Sequence, residues 1–210
     1  VQRRLSSLSE RLSRPRMTAY SSLSAVTVAA GFGGGVMPCQ NPRHAVTDQI
    51  RATPAPPSER FDLLSAFTWY TAPAGYRLPA PIGWRVYTEQ GGTTCLYDSN
   101  MDRLMSVEEL PAAVPDPVAH WTRTAEEQQR DGTLVGYAEA TVTRSQLFDG
   151  GAEWEYEFTP VNAEPQRAIR VLYNVAGRAY VITWTCPKLD WNTAWLPTIK
   201  LGFRPPAPAD

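Results

Sequence analysis

Alternation of apolar and charged positions is clearest at residues 152–158, "AEWEYEF". There Trp154, Tyr156 and Phe158 fall on one face of an extended chain and Glu153, Glu155 and Glu157 on the other. The pattern predicts a strand with one covered and one charged face. The next run, "QRAIRVLYNVAGRAYVITWTC", is interrupted by "NVAG" and predicts two strands, 167–173 and 178–186, joined by a tight hairpin. Cross-strand pairing would set Arg167 or Arg170 against the glutamate row. Further strands are expected at 75–80, 93–97, 104–109 and 134–144, for a sheet of about seven. "AGYRLPAPIGWR", 74–85, reads as a strand that stops at proline, turns on glycine and lands on Trp84; with no nucleophile, metal ligand or phosphate loop, it is architecture.

Helical spacing appears twice. "DPVAHWTRTAEEQQRDG" starts with Asp116 as N-cap and Pro117 at the first helical position, and stops at Gly132. Val118, Trp121 and Ala125 form its packing stripe. A second helix is expected from 190 toward 201, burying Trp191, Trp195 and Ile199, with Pro197 imposing a kink or a late start. Strands, a helix, more strands and a final helix make an α+β architecture: an antiparallel sheet with two packed helices.

Charge divides the chain. Residues 1–67 hold eight Arg against four acids, whereas 68–205 hold ten Arg and two Lys against sixteen acids. The net charge of −1 therefore conceals a basic head on an acidic domain, and an acidic domain lacks the clustered cations that nucleic acid requires. Arg3, Arg4, Arg11, Arg14 and Arg16 precede an uncharged run at 18–39, the order of an export signal or signal anchor. Gly31, Gly33, Gly34 and Gly35 argue against a buried core helix, since each costs roughly 1 kcal/mol relative to Ala. The organisation expected is a signal or membrane anchor at 1–39, a Pro-rich tether at 40–67, the domain at 68–205 and a tail at 206–210.

Cys39 stands where the lipid-bearing Cys of a bacterial lipoprotein would stand, although Pro38 occupies a place normally held by Gly or Ala; the alternatives are lipidation and an incidental Cys. With Cys39 set aside, Cys95 and Cys186 are expected to form a disulfide outside the reducing cytosol, or else to be two separate buried thiols.

Catalytic patterns are sparse. His44 lies in the tether and His120 on the first helix, so no His cluster for a metal is expected. No G-x-S-x-G turn supports a triad, and "GFGGG" lacks the Lys-Ser/Thr of a phosphate loop, so no cofactor is expected. Glu153, Glu155 and Glu157 offer paired carboxylates for glycoside cleavage, against a plainer reading as a charged sheet face with Arg partners. Of seven Trp, five fall at positions expected to be buried, while Trp69 and Trp84 flank the opening hairpin and are candidate stacking surfaces.

"YTAPAGYRLPAPIGW", 70–84, resembles the opening hairpin of exported PsbP-like domains, and the likeness continues through "PDPVAHW", "AEWEYEF" and "DWNTAWLPTIKLGFRP" to span 68–205. Such domains share a fold with the PsbP subunit of photosystem II and with a Ran-binding nuclear import factor. They also occur in mycobacterial lipoproteins of the LpqN type and as extracytoplasmic tails of actinobacterial Ser/Thr kinases. The resemblance implies an exported, membrane-tethered or secreted non-catalytic domain that binds a protein or a cell-envelope component and meets the membrane through its N-terminal segment only. Its candidate surface is Trp69, Trp84, Glu153, Glu155 and Glu157. The alternatives are a small envelope hydrolase using the acidic strand and a glycan-binding module.

Overall fold

The computed structural model describes Cys39 and residues 47–54, 61–100, 102–132, 134–160, 163–191 and 194–207. Of the expected signal or anchor, 1–39, all but Cys39 lies outside the described residues, as does His44. Among the described residues, ten strands and two α-helices follow in chain order: β1 (Asp48–Gln49), β2 (Phe67–Thr71), β3 (Arg77–Pro81), β4 (Arg85–Thr88), β5 (Thr94–Tyr97), β6 (Leu104–Leu110), α1 (Pro117–Asp131), β7 (Ala138–Ser145), β8 (Gly151–Phe158), β9 (Gln166–Val175), β10 (Arg178–Pro187) and α2 (Trp195–Gly202). Eight strands form one antiparallel sheet in the order β1-β4-β5-β6-β10-β9-β8-β7, and β2 and β3 form a separate hairpin. The α+β class holds.

Both faces of the sheet are covered. On one face the β2–β3 hairpin and α2 bury Leu96, Met105, Val171, Ile182 and Trp184. On the other, α1 lays Trp121 over Ala152, Trp154, Ala168 and Leu172. This explains why β10, in the middle, is buried from Ala179 through Pro187 without alternation. Its aromatic content fills the first core, where Trp84 stacks on Trp184 at 5.6 Å and Trp195 meets Trp184 edge-on at 5.4 Å.

Local chemistry sets the element ends. The Asp116 side chain accepts from the Ala119 N–H, Pro117 opens α1, and Gly132 closes it in the left-handed region with its N–H on the Gln128 carbonyl. The β9–β10 hairpin turns on Ala176 (φ 47) and Gly177 (φ 80), both positive as a type I′ turn requires. Pro197 is the third residue of α2, in the first turn where its missing N–H has no intrahelical acceptor, so the helix starts late and runs unbroken. A 3-10 turn, Lys188–Asp190, occupies the beginning of the expected second helix.

The expected tether is in part domain. Asp48 and Gln49 pair with Val86 and Arg85, and the Thr53 N–H donates to the Thr68 hydroxyl at 2.9 Å. The cysteine pairing also differs from expectation. Cys39 is bonded to Cys95, with Cα atoms 5.7 Å apart, and Cys186 is a free, buried thiol. The physical reason is the sheet itself: Cys95 and Cys186 sit on opposite faces, because Cys95 pairs with Ser106 and Ser106 with Thr183, an odd number of residues from Cys186 along β10. A disulfide through the sheet between them is impossible. The same sulfur cannot carry a lipid thioether, so this bond and lipidation of Cys39 exclude one another.

Candidate functional site

The glutamate row lies where alternation places it, but it is not an open acidic face. Glu155 takes Arg167 of β9 at 2.6 Å, Glu157 takes Lys188 at 2.6 Å and Glu153 takes Lys200 of α2 at 2.8 Å. Each carboxylate thus ties neighbouring elements together, and Glu157 is buried. A carboxylate held by a cation in this way is poorly suited to donate or accept a proton in glycoside cleavage.

Trp69 and Trp84, expected as stacking surfaces, are both buried. Trp84 is spent on Trp184, and Trp69 lies beneath the guanidinium groups of Arg77 and Arg204 at 5.5 and 5.4 Å with Phe61 at its edge. The hairpin's own pattern does not show this, because two of the three covering residues, Phe61 and Arg204, sit outside it on either side in the chain.

Two features that the sequence reading missed define the opposite face. The first is a ladder across the sheet, fixed by register: Tyr87, Cys95, Ser106, Thr183, Arg170 and Trp154 stand side by side on β4, β5, β6, β10, β9 and β8. Tyr87 Oη, Ser106 Oγ, Thr183 Oγ1 and Arg170 Nε are buried without a hydrogen-bond partner among the described residues. Arg170 closes the row: Trp121 and Trp154 flank its guanidinium at 4.9 and 5.9 Å, and Glu108 stands 3.7 Å away. Beside it on α1, burial first and then the Arg170 and Arg123 charges lower the His120 pKa, with Glu127 opposing them.

The second feature is an open cleft of about 330 Å³ between the start of α1 and the β7–β8 turn, lined by Pro117, Val118, Arg144, Gln146, Phe148 and Asn174 among others. Its walls are fixed. The Asn174 side chain accepts from the Val114 N–H and donates to the Val114 carbonyl, both at 2.9 Å, which pins the approach to α1 against β9. Asp149 accepts from the Ala176 N–H at 2.8 Å, linking the β7–β8 turn to the β9–β10 turn. Phe148 is 45% exposed at the rim, with φ 54 and its ring edge-on to Tyr173 at 5.3 Å. At that volume the cleft falls at the small end of the range of ligand pockets.

Residues 68–195 match the family described as "Serine/threonine kinase C-terminal domain". The chain belongs to that family. The matched span runs from β2 to the first residue of α2 and takes in α1, the cleft and every strand of the large sheet except β1. Among solved structures, cyanobacterial PsbP (CyanoP) from Synechocystis sp. PCC 6803 aligns with a TM-score of 0.51 and 17% identity over 67% of this chain and 93% of that one. That likeness shows a shared PsbP-like fold. LpqN, involved in cell envelope biogenesis of Mycobacterium tuberculosis, aligns over 77% of this chain and 92% of that one with a TM-score of 0.34 and 15% identity. A protein of unknown function from Pseudomonas aeruginosa, PA94, a putative regulator by its own description, aligns over 60% and 86% with a TM-score of 0.38 and 11% identity. No curated protein matches the chain.

Proposed function

We propose that the chain is an extracytoplasmic, non-catalytic binding domain that holds a protein or cell-envelope partner in the α1/β7–β8 cleft. The observation that carries this reading is the preformed cleft in a kinase C-terminal domain whose acidic row is committed to ion pairs. Support for the compartment comes from the disulfide, which persists in oxidising surroundings. Among the described residues no helix is long and apolar enough to cross a membrane.

Arg144 and Gln146 line the cleft, and Arg144 is exposed, so Arg144→Ala and Gln146→Ala alter recognition without opening the core. Sedimentation of the full chain with isolated cell-wall material and with envelope membranes measures binding. The reading expects the wild-type chain to co-sediment with one of the two and the double variant to lose most of that binding at unchanged circular dichroism. Equal binding by the variant would remove the cleft from the account; cleavage of wall glycans, abolished by Glu155→Gln, would replace it with the hydrolase reading.

A further inference from the structure

At the outer end of the ladder, away from Arg170, three metal-ligating groups converge. Cys39 Sγ, Cys95 Sγ and a carboxylate oxygen of Glu89 all lie within 4.8 Å of one another. Both cysteines are buried and Glu89 is half-buried. Glu89 Oε1 accepts the Cys39 N–H at 3.0 Å, which holds the Cys39 backbone in place by a contact separate from the disulfide. Cys95 is fixed on β5, hydrogen-bonded between β4 and β6. Tyr87, directly across from Cys95 and packed in one cluster with both cysteines, is 94% buried, since its relative exposure is 6%, and its hydroxyl has no hydrogen-bond partner among the described residues.

From these residues we infer that the reduced chain binds one Zn²⁺ through the Cys39 and Cys95 thiolates and the Glu89 carboxylate, so that this site holds either a disulfide or a metal ion. The donor set suits zinc: two thiolate sulfurs at about 2.3 Å and a carboxylate oxygen at about 2.1 Å are ordinary tetrahedral ligands, with a fourth position left open to water. Two sulfurs on one such ion stand roughly 3.8 Å apart, a separation that Cα atoms 5.7 Å apart accommodate with small side-chain rotations. Two thiolates and one carboxylate leave the occupied site with one negative charge.

The chemistry balances with a phosphine reductant. The phosphine delivers two electrons to the sulfur–sulfur bond and leaves as its oxide, taking oxygen from water, and two thiols result. Zinc displaces the two thiol protons to solvent. In a cell, a dithiol supplies the same two electrons by exchange and is itself oxidised to a disulfide. The proposal goes beyond the binding role and does not depend on it.

Cobalt(II) tests the site, because thiolate ligation gives a sulfur-to-cobalt charge-transfer band and tetrahedral geometry gives intense visible bands. The full chain, reduced by a phosphine and handled without oxygen, is titrated with Co²⁺ and then with Zn²⁺. The expected result is a band that saturates at one equivalent and is displaced by zinc. It is absent from the oxidised chain and from Cys95→Ser, retained in Cys186→Ala, and weakened about 10-fold or more in apparent affinity in Glu89→Gln. Circular dichroism of Glu89→Gln, which keeps the disulfide pair, guards against a folding artefact in Cys95→Ser. No band in the reduced wild type overturns the proposal, as does a band that survives Cys95→Ser or disappears in Cys186→Ala. Unchanged affinity in Glu89→Gln overturns the three-ligand assignment.

Discussion

Cys186 ends in the core beside Trp184, and its thiol pKa is pushed up to about 11, chiefly by burial. A protonated, buried thiol is inert, so the chain purified without reductant should show no reactive thiol when native and a single one, Cys186, in denaturant, with three after reduction. A thiol-reagent count checks this; three thiols in denaturant without reductant would contradict the Cys39–Cys95 bond. The next residue-level expectation concerns His120. Folding lowers its pKa below the ordinary 6.5, so the unfolded chain takes up the proton first as pH falls. The associated stability is fully present above about pH 6.5 and is lost as pH drops toward the native pKa. His120→Gln should therefore show a smaller fall in melting temperature between about pH 7 and pH 5 than the wild type does; equal falls would mean that burial and the Arg170 and Arg123 charges do not lower the His120 pKa. At this scale the sequence showed which residues carry chemistry but not how they pair. Cys39 stood in a segment read as signal and tether, and nothing along the chain disclosed that it folds back onto β5.

Elements were legible where local rules decide them. Asp116, Pro117 and Gly132 delimit α1 as observed, and β8, β9 and β10 fall within a residue or two of their expected bounds, because strict alternation and a two-residue turn leave little freedom. β1, β2 and β4 were not separately visible: two and four residues carry no period, and β2 is buried at its first three positions rather than alternating. The turn of the β9–β10 hairpin still bears a cost, since Ala176 holds a positive φ that Asn tolerates better. Ala176→Asn should raise unfolding stability by roughly 0.5–1 kcal/mol, read from the denaturant midpoint; a loss would show that the Asp149 contact, rather than the backbone conformation, governs the turn. The docking of α2 on the hairpin depends on close approach. A Cβ at Gly202 would lie 2.1 Å from Cγ of Pro79, a ring that cannot rotate aside, so Gly202→Ala should cost about 1–3 kcal/mol. A stability change near zero would mean that α2 does not pack on β3 as described.

The whole molecule unites two readings that the sequence supplied separately: an acidic, aromatic-rich sheet and a disulfide-bearing chain. The architecture was legible because most of the large aromatics fall on strand faces that need a cover, and a sheet covered on both faces provides it. The recognition site was not, because the cleft is made by α1, the β7–β8 turn and Asn174 of β9, which are brought together only by folding. The candidate surface drawn from Trp69 and Trp84 failed for the same reason in reverse: their covers come from distant parts of the chain. One measurement tests the central claim, that this is an extracytoplasmic domain closed by Cys39–Cys95. Intact cells producing the full chain are treated with a membrane-impermeant phosphine and then a membrane-impermeant maleimide, and labelled peptides are mapped. The account predicts label on Cys39 and Cys95 only after the phosphine, with Cys186 untouched until denaturation; label that appears only after lysis, on thiols that were never bonded, would contradict it.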